Sequence, residues 1–172
     1  YSVHLRPDGS SYKGEKENFI SGAPLPVTDI VINPSDGAMY FTIGGRKVQS
    51  GIYRVTYIGD EDTTPFIVKN SGQKARKLRH SLEVFHGFVD SRAINKSWKY
   101  LNHEDPFIRS AARIAIESQP SKSWANRALT EKIPERRISA LLALARTTGI
   151  DRFHRKEGDP PVNKTIGNNI IN

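Results

Sequence analysis

The stretch Asp105–Ile116 returns, altered but recognisable, as Pro134–Leu144 at a constant offset of 28 residues. Pro106 falls on Pro134, Arg109 on Arg137 and Ala112 on Ala140, while Ile114, Ala115 and Ile116 fall on Leu142, Ala143 and Leu144. Upstream, Leu101 falls on Leu129. A period of this length belongs to a pair of helices, and a unit that short buries its apolar face only against the next copy. Asp105 before Pro106 predicts a helix start: the carboxylate caps the first free N–H groups, and proline fits the first turn, where its missing N–H is no loss. The small alanines allow close helix approach. A plain helical bundle with a coincidental alignment is the alternative.

The repeat motif resembles the second helix of a HEAT-type repeat, and the resemblance implies a binding or spacing scaffold rather than a catalyst. Around it, Ala75, Leu78, Leu82 and Phe85 make an apolar stripe at helical spacing that stops at Gly87. Ile94, Trp98 and Leu101 mark the next helix, and Trp124, Ala128 and Leu129 a shorter one. After Gly149 the periodicity fails, and residues 150–172 are expected to be loose or to begin a truncated further repeat.

Residues 1–60 follow a different rule. Runs at 1–5, 12–20, 27–33, 38–43 and 51–58 read as strands, separated by turn chemistry at Pro7-Asp8-Gly9 and Pro34-Ser35-Asp36-Gly37. Short, evenly spaced strands suggest a meander from a sandwich, barrel or propeller blade. The run Leu25–Arg46, with its Asp36-Gly37, Tyr40 and Gly44-Gly45, followed by Gly51-Ile52-Tyr53-Arg54-Val55, resembles a late blade of glucose/sorbosone dehydrogenase-like propellers. The likeness is to those in large planctomycete-type "membrane-bound dehydrogenase" proteins. It spans about residues 1–148 and is strongest over 24–58. It implies HEAT-like repeats after the propeller and a c-type cytochrome domain after those. PQQ and c-type haem are then cofactors of the parent protein, with none expected within this segment, and the location is periplasmic or exported.

The expected architecture is therefore a multidomain β + α fragment, a partial β-propeller of one to two blades followed by an α-helical HEAT-like solenoid. Residues 1–60 form the C-terminal blades, 61–73 a linker, 74–149 the helical repeats and 150–172 the loose end. The chain reads as a piece of a longer protein, with missing propeller blades and a downstream cytochrome domain as its partners. A further protein partner is expected on the repeats. Its own role is then propeller closure and scaffolding within a sugar or polyol dehydrogenase, the fragment alone being inactive. The competing reading is a non-enzymatic protein-binding module.

Composition narrows the remaining chemistry. The chain has no cysteine among its 172 residues, so disulfides, thiolate metal sites and covalent c-type haem are excluded within it. No apolar run approaches the roughly 20 residues of a membrane span. Its net charge of +8 is uneven: residues 1–70 hold 7 Lys and Arg against 8 Asp and Glu, residues 71–172 hold 19 against 10. Such a field can attract acidic partners. The basic residues are scattered without interleaved aromatics, however, and nucleic acid is not an expected partner.

Among single residues, Asp29 stands at the start of an inner-strand candidate, and Arg46 and Gln49 lie in the loop that can reach the same face. These three are the candidates for substrate or cofactor contact on a propeller channel, with a structural hydrogen-bond pair as the plainer alternative. No catalytic residue is assigned. Asp36 reads as turn chemistry, and Arg54 as a partner for an acid. The five histidines (His4, His80, His86, His103 and His154) lack metal-ligand spacing. Lys74, Arg76, Lys77, Arg79 and His80 form the densest basic cluster and are expected to meet solvent or the acidic run Asp60–Asp62. Trp98 and Trp124 read as core anchors.

Overall fold

The computed structural model describes residues 1–62, 64, 70–149, 157–158 and 161–171. Five strands, β1 (Ser2–Asp8), β2 (Ser11–Glu17), β3 (Val27–Ile32), β4 (Met39–Gly45) and β5 (Val48–Val55), precede six helices. These are α1 (Gln73–Glu83), α2 (Arg92–Trp98), α3 (Pro106–Glu117), α4 (Ala125–Leu129), α5 (Pro134–Thr148) and α6 (Lys164–Ile171), with a 3-10 turn at Ser121–Ser123. The strands make a two-stranded sheet, β1–β2, and a three-stranded antiparallel sheet in the order β3–β4–β5. The chain divides into two compact units, Tyr1–His4 with Gly14–Lys69, and Leu5–Lys13 with Asn70–Asn172. The tip of the first hairpin therefore belongs to the helical unit.

In the first unit β4 is the central strand. Phe41 and Ile43 alternate along one face and are buried, and the Tyr53 ring stacks on Phe41 at 5.0 Å. The register runs Ile30↔Phe41 and Ile32↔Met39 on one side, and Phe41↔Tyr53 and Thr42↔Ile52 on the other. The turn before β4 forms as its residues dictate. Asp36 Oδ1 accepts from the Ala38 N–H at 3.0 Å, and Gly37 takes φ 68, a conformation that glycine adopts without strain.

In the second unit most of the apolar stripes converge on one core, and Phe85, Ala93 and Ala115 form a second, smaller cluster. Leu82, Trp98, Leu101, Ile108, Ile116, Trp124 and Leu144 are buried together with Ala112, Ala140 and Ala143. Helix α3 packs against α1 on one side and α5 on the other, α2 packs on α3, and α4 packs on α5. The repeated alanines Ala112 and Ala140 are both wholly buried, as close helix contact requires. Both tryptophans are core anchors whose N–H groups are satisfied: Trp98 Nε1 donates to Glu131 Oε2 at 2.7 Å, and Trp124 Nε1 to the Gln119 carbonyl at 3.2 Å.

The two repeat helices start alike by different chemistry. Asp105 caps α3 by accepting from the Phe107 and Ile108 N–H groups, and His103 Nδ1 accepts from the Asp105 N–H at 3.0 Å. At the equivalent place before α5, Ile133 has no side-chain cap, but Glu131, the counterpart of His103, accepts from the Ile133 N–H, also at 3.0 Å. Beyond α5, Lys164–Ile171 is helical, with Ile166 and Ile170 one turn apart against the core. Three isoleucines in a short stretch rich in asparagine gave too little periodicity to announce that helix. The linker residues 63 and 65–69, together with His154 and the Asp159-Pro160 step, lie outside the described residues.

Candidate functional site

The three residues singled out for a channel face do not assemble a site. Asp29 lies on β3 opposite Thr42, exposed, its carboxylate accepting from the adjacent Ile30 N–H at 2.8 Å. Arg46 occupies the two-residue turn between Gly45 and Val48, and Gln49 follows on β5; both are exposed. Arg46 stands four positions along the chain from Thr42, the partner of Asp29, about 13 Å of extended strand. No hydrogen bond or ion pair joins Asp29 to either residue, so the structural pair is not formed.

Arg54 does find its acid. Its Nη2 lies 3.1 Å from Asp36 Oδ2, and the guanidinium also stands over the Tyr40 ring. The Ala38 N–H, with help from Arg54 and Tyr40, holds the Asp36 carboxyl below its ordinary range, and Asp36 in turn raises Arg54. This is the local chemistry of a turn. The basic cluster on α1 is likewise partly consumed at home. Arg79 and His80 meet Glu83 at 3.0 and 2.6 Å. Arg76 is buried, hydrogen-bonds Asn70 and stacks over Tyr12 at 4.7 Å. Among the described residues no group of three or more His, Cys, Asp or Glu side chains is placed to hold a metal, and no helix is long and apolar enough to cross a membrane.

One concavity in the helical unit has no counterpart among the sequence expectations. A cleft of about 910 Å³ opens between the C-terminal ends of α3 and α5, the 118–122 segment and the start of α6. Glu117, only 8% exposed at its side chain, sits in its wall. Arg113, one helical turn earlier, and Arg146 from α5 converge on the same carboxylate oxygen, the latter at 3.1 Å. Arg113 commits only Nη1 to Glu117, leaving Nε and Nη2 available. Lys122 stands among the lining residues, and Val89, Ile114, Pro120, Pro161 and Ile166 supply apolar walls.

The cleft's frame is rigid for a stated reason. Gln119 is buried at 4% exposure where α3 ends. Its Oε1 accepts from the Asp90 N–H at 2.8 Å, and its Nε2 donates to the Phe88 carbonyl at 2.8 Å. One amide therefore ties the α1–α2 loop to the end of α3. Nearby, Arg92 donates to the Asp90 carboxylate through both side chain and backbone and lowers its pKa to about 2. In the sequence, Arg113 and Glu117 were readable as an i, i+4 pair. The arrival of Arg146 from another helix was not.

No protein family, curated protein or solved structure matches the chain.

Proposed function

We propose that the chain works as a scaffold: a HEAT-like solenoid presents helix faces to a protein partner, and the β unit is the last part of a propeller. The observation that carries this reading is the layering of the helices. Helix α3 is flanked by α1 and α5 and exposes only Pro106 and Phe107, whereas α5 has one face in the core and the opposite face open. On α5 that open face carries Ile138, 69% exposed, and Leu142, 50% exposed. Apolar residues at i, i+4 on an uncovered helix face suit contact with another protein.

By the sequence resemblance, the parent is an exported sugar or polyol dehydrogenase whose PQQ and haem chemistry resides in other domains. The three-stranded sheet supports incorporation into a larger β structure, because apolar residues on β3 and β5 are uncovered. The separation of Asp29, Arg46 and Gln49 favours the second reading, a non-enzymatic module of propeller and repeats. Both readings assign this segment the same scaffolding work.

A photo-crosslinking amino acid at Leu142 in the full polypeptide tests it. The expected product is a crosslink to one defined segment, in the same polypeptide or in a partner, that Ile138→Asp abolishes. The same probe at exposed Asn126 on α4 is the control. Indistinguishable products from Leu142 and Asn126 would defeat the scaffold reading.

A further inference from the structure

We infer that the cleft between α3, α5 and α6 is a recognition site for an acidic, leucine-bearing peptide segment of a partner protein, an inference that rests on the scaffold reading. Its floor is cationic in a particular way. Arg113 and Arg146 both reach the Glu117 carboxylate. Arg113 is mostly buried at the cleft wall, with its Nε and its second amino group uncommitted. A guanidinium anchored through one amino group keeps further N–H donors of its planar fork for an incoming carboxylate, a geometry that a lysine ammonium lacks. Lys122 adds a second cation among the lining residues and makes no ion pair. Glu117 is the sole acid among the described lining residues.

The walls select what accompanies the charge. Ile114 and Ile166 are half-buried on facing elements, and Val89 projects from the α1–α2 loop at 75% exposure. A volume of about 910 Å³ lies at the upper end of the usual range for ligand pockets, roughly 300–1,000 Å³. It accommodates several side chains of a peptide, one acidic and its neighbours aliphatic. The excess of cations over anions in residues 71–172 gives the same sign of field over the approach.

The test uses the full chain and an array of short fluorescent peptides combining glutamate and leucine, each matched by a glutamine version of equal length. Fluorescence anisotropy reads Kd, and thermal melts verify folding of each variant. Glutamate peptides are expected to bind about tenfold tighter than their glutamine partners. Arg113→Gln and the surface change Lys122→Gln should each weaken them, Arg113→Gln by about tenfold. Glu117→Gln, which removes the competing carboxylate, should tighten them.

Equal affinity for glutamine peptides, or no binding at millimolar concentration, overturns the inference. So does tight, steeply salt-dependent binding of single-stranded RNA that Arg113→Gln weakens, since that assigns the cleft to nucleic acid. The crosslink at Leu142 does not involve the cleft residues. A peptide failure with that crosslink intact sinks this inference alone, whereas loss of the crosslink sinks the scaffold reading.

Discussion

In the helical unit Trp98, Leu101, Ile108, Ile116 and Leu144 are at most 1% exposed, whereas on β3 the side chains of Val27, Ile30, Val31 and Ile32 are 45–58% exposed. The two regions have equally regular backbones. Antiparallel pairing satisfies the N–H and C=O groups of β4 on both sides, just as helical bonds do in α3. What differs is burial. Helices α1, α3 and α5 cover one another, while the three-stranded sheet leaves apolar side chains on its outer strands uncovered, including Ile52 at 76%. Secondary structure is a hydrogen-bond solution, and a core is a separate, solvent-exclusion solution. One unit has both, and the sheet has the first with only Phe41, Ile43 and Ala38 toward the second.

The sharpest way to break this contrast is a pair of truncations. Trp98→Ala should cost about 3–5 kcal/mol by removing a buried ring and stranding its partner Glu131. Val31→Thr on β3 should stay within about 0.5 kcal/mol. Urea denaturation of the full chain measures both, and a Val31 cost approaching that of Trp98 would mean the sheet face is covered after all.

Next in size is the ion cluster. Glu117→Ala removes the ion-pair partner of two guanidiniums and should destabilise by about 2 kcal/mol, with Glu117→Gln losing less because it keeps a neutral acceptor for Arg113. A negligible change in melting would show that α3 and α5 are held by packing alone.

Asp105 gives a smaller effect with a pH signature. Its carboxylate accepts from the Ser10 N–H at 2.7 Å and the Ser10 hydroxyl at 2.8 Å, as well as from the two capped N–H groups of α3. Partial burial pushes its pKa up, but these four hydrogen bonds outweigh that and leave it lowered. A lowered folded pKa contributes stability that is present above the ordinary carboxylate value, about 3.9, and is lost as pH falls through the lower folded value. Asp105→Ala should therefore cost about 1–2 kcal/mol at neutral pH. The stability difference between wild type and Asp105→Asn should shrink as pH drops below about 4. A difference independent of pH in acid would assign the role to shape rather than charge.

The smallest effect belongs to the open helix face. Ile138→Glu is expected to leave stability within about 0.5 kcal/mol while removing the Leu142 crosslink. A large loss of stability would show that Ile138 is part of the fold rather than of a binding face.

How much of this was legible in advance varies by element. The 28-residue offset, the Asp105-Pro106 start and the Asp36-Gly37 turn are each statements about nearby residues, and each appears where its chemistry places it, whereas α1 ends at Glu83, before the expected stop at Gly87. Arg54 read as a partner for an unnamed acid, and the β3–β4 turn together with the β4–β5 register brings Asp36 to it. The candidate site was far less legible. Asp29, Arg46 and Gln49 were chosen from their positions in a resembling pattern, and β-sheet register then kept them apart.

Local sequence, through side-chain period, capping groups and turn residues, was enough to mark most of the segments that become helices and strands, with α6 the exception. Those signals act over a few residues and do not depend on what lies across the molecule. The tertiary structure alone decided which faces find cover, that Ser10 at a hairpin tip closes onto Asp105, and that Arg146 reaches the carboxylate already paired with Arg113. Each of these joins residues distant along the chain, from 29 positions for Arg146 and Glu117 to 95 for Ser10 and Asp105. Contacts of that range arise only after packing has chosen neighbours, and no local preference specifies them.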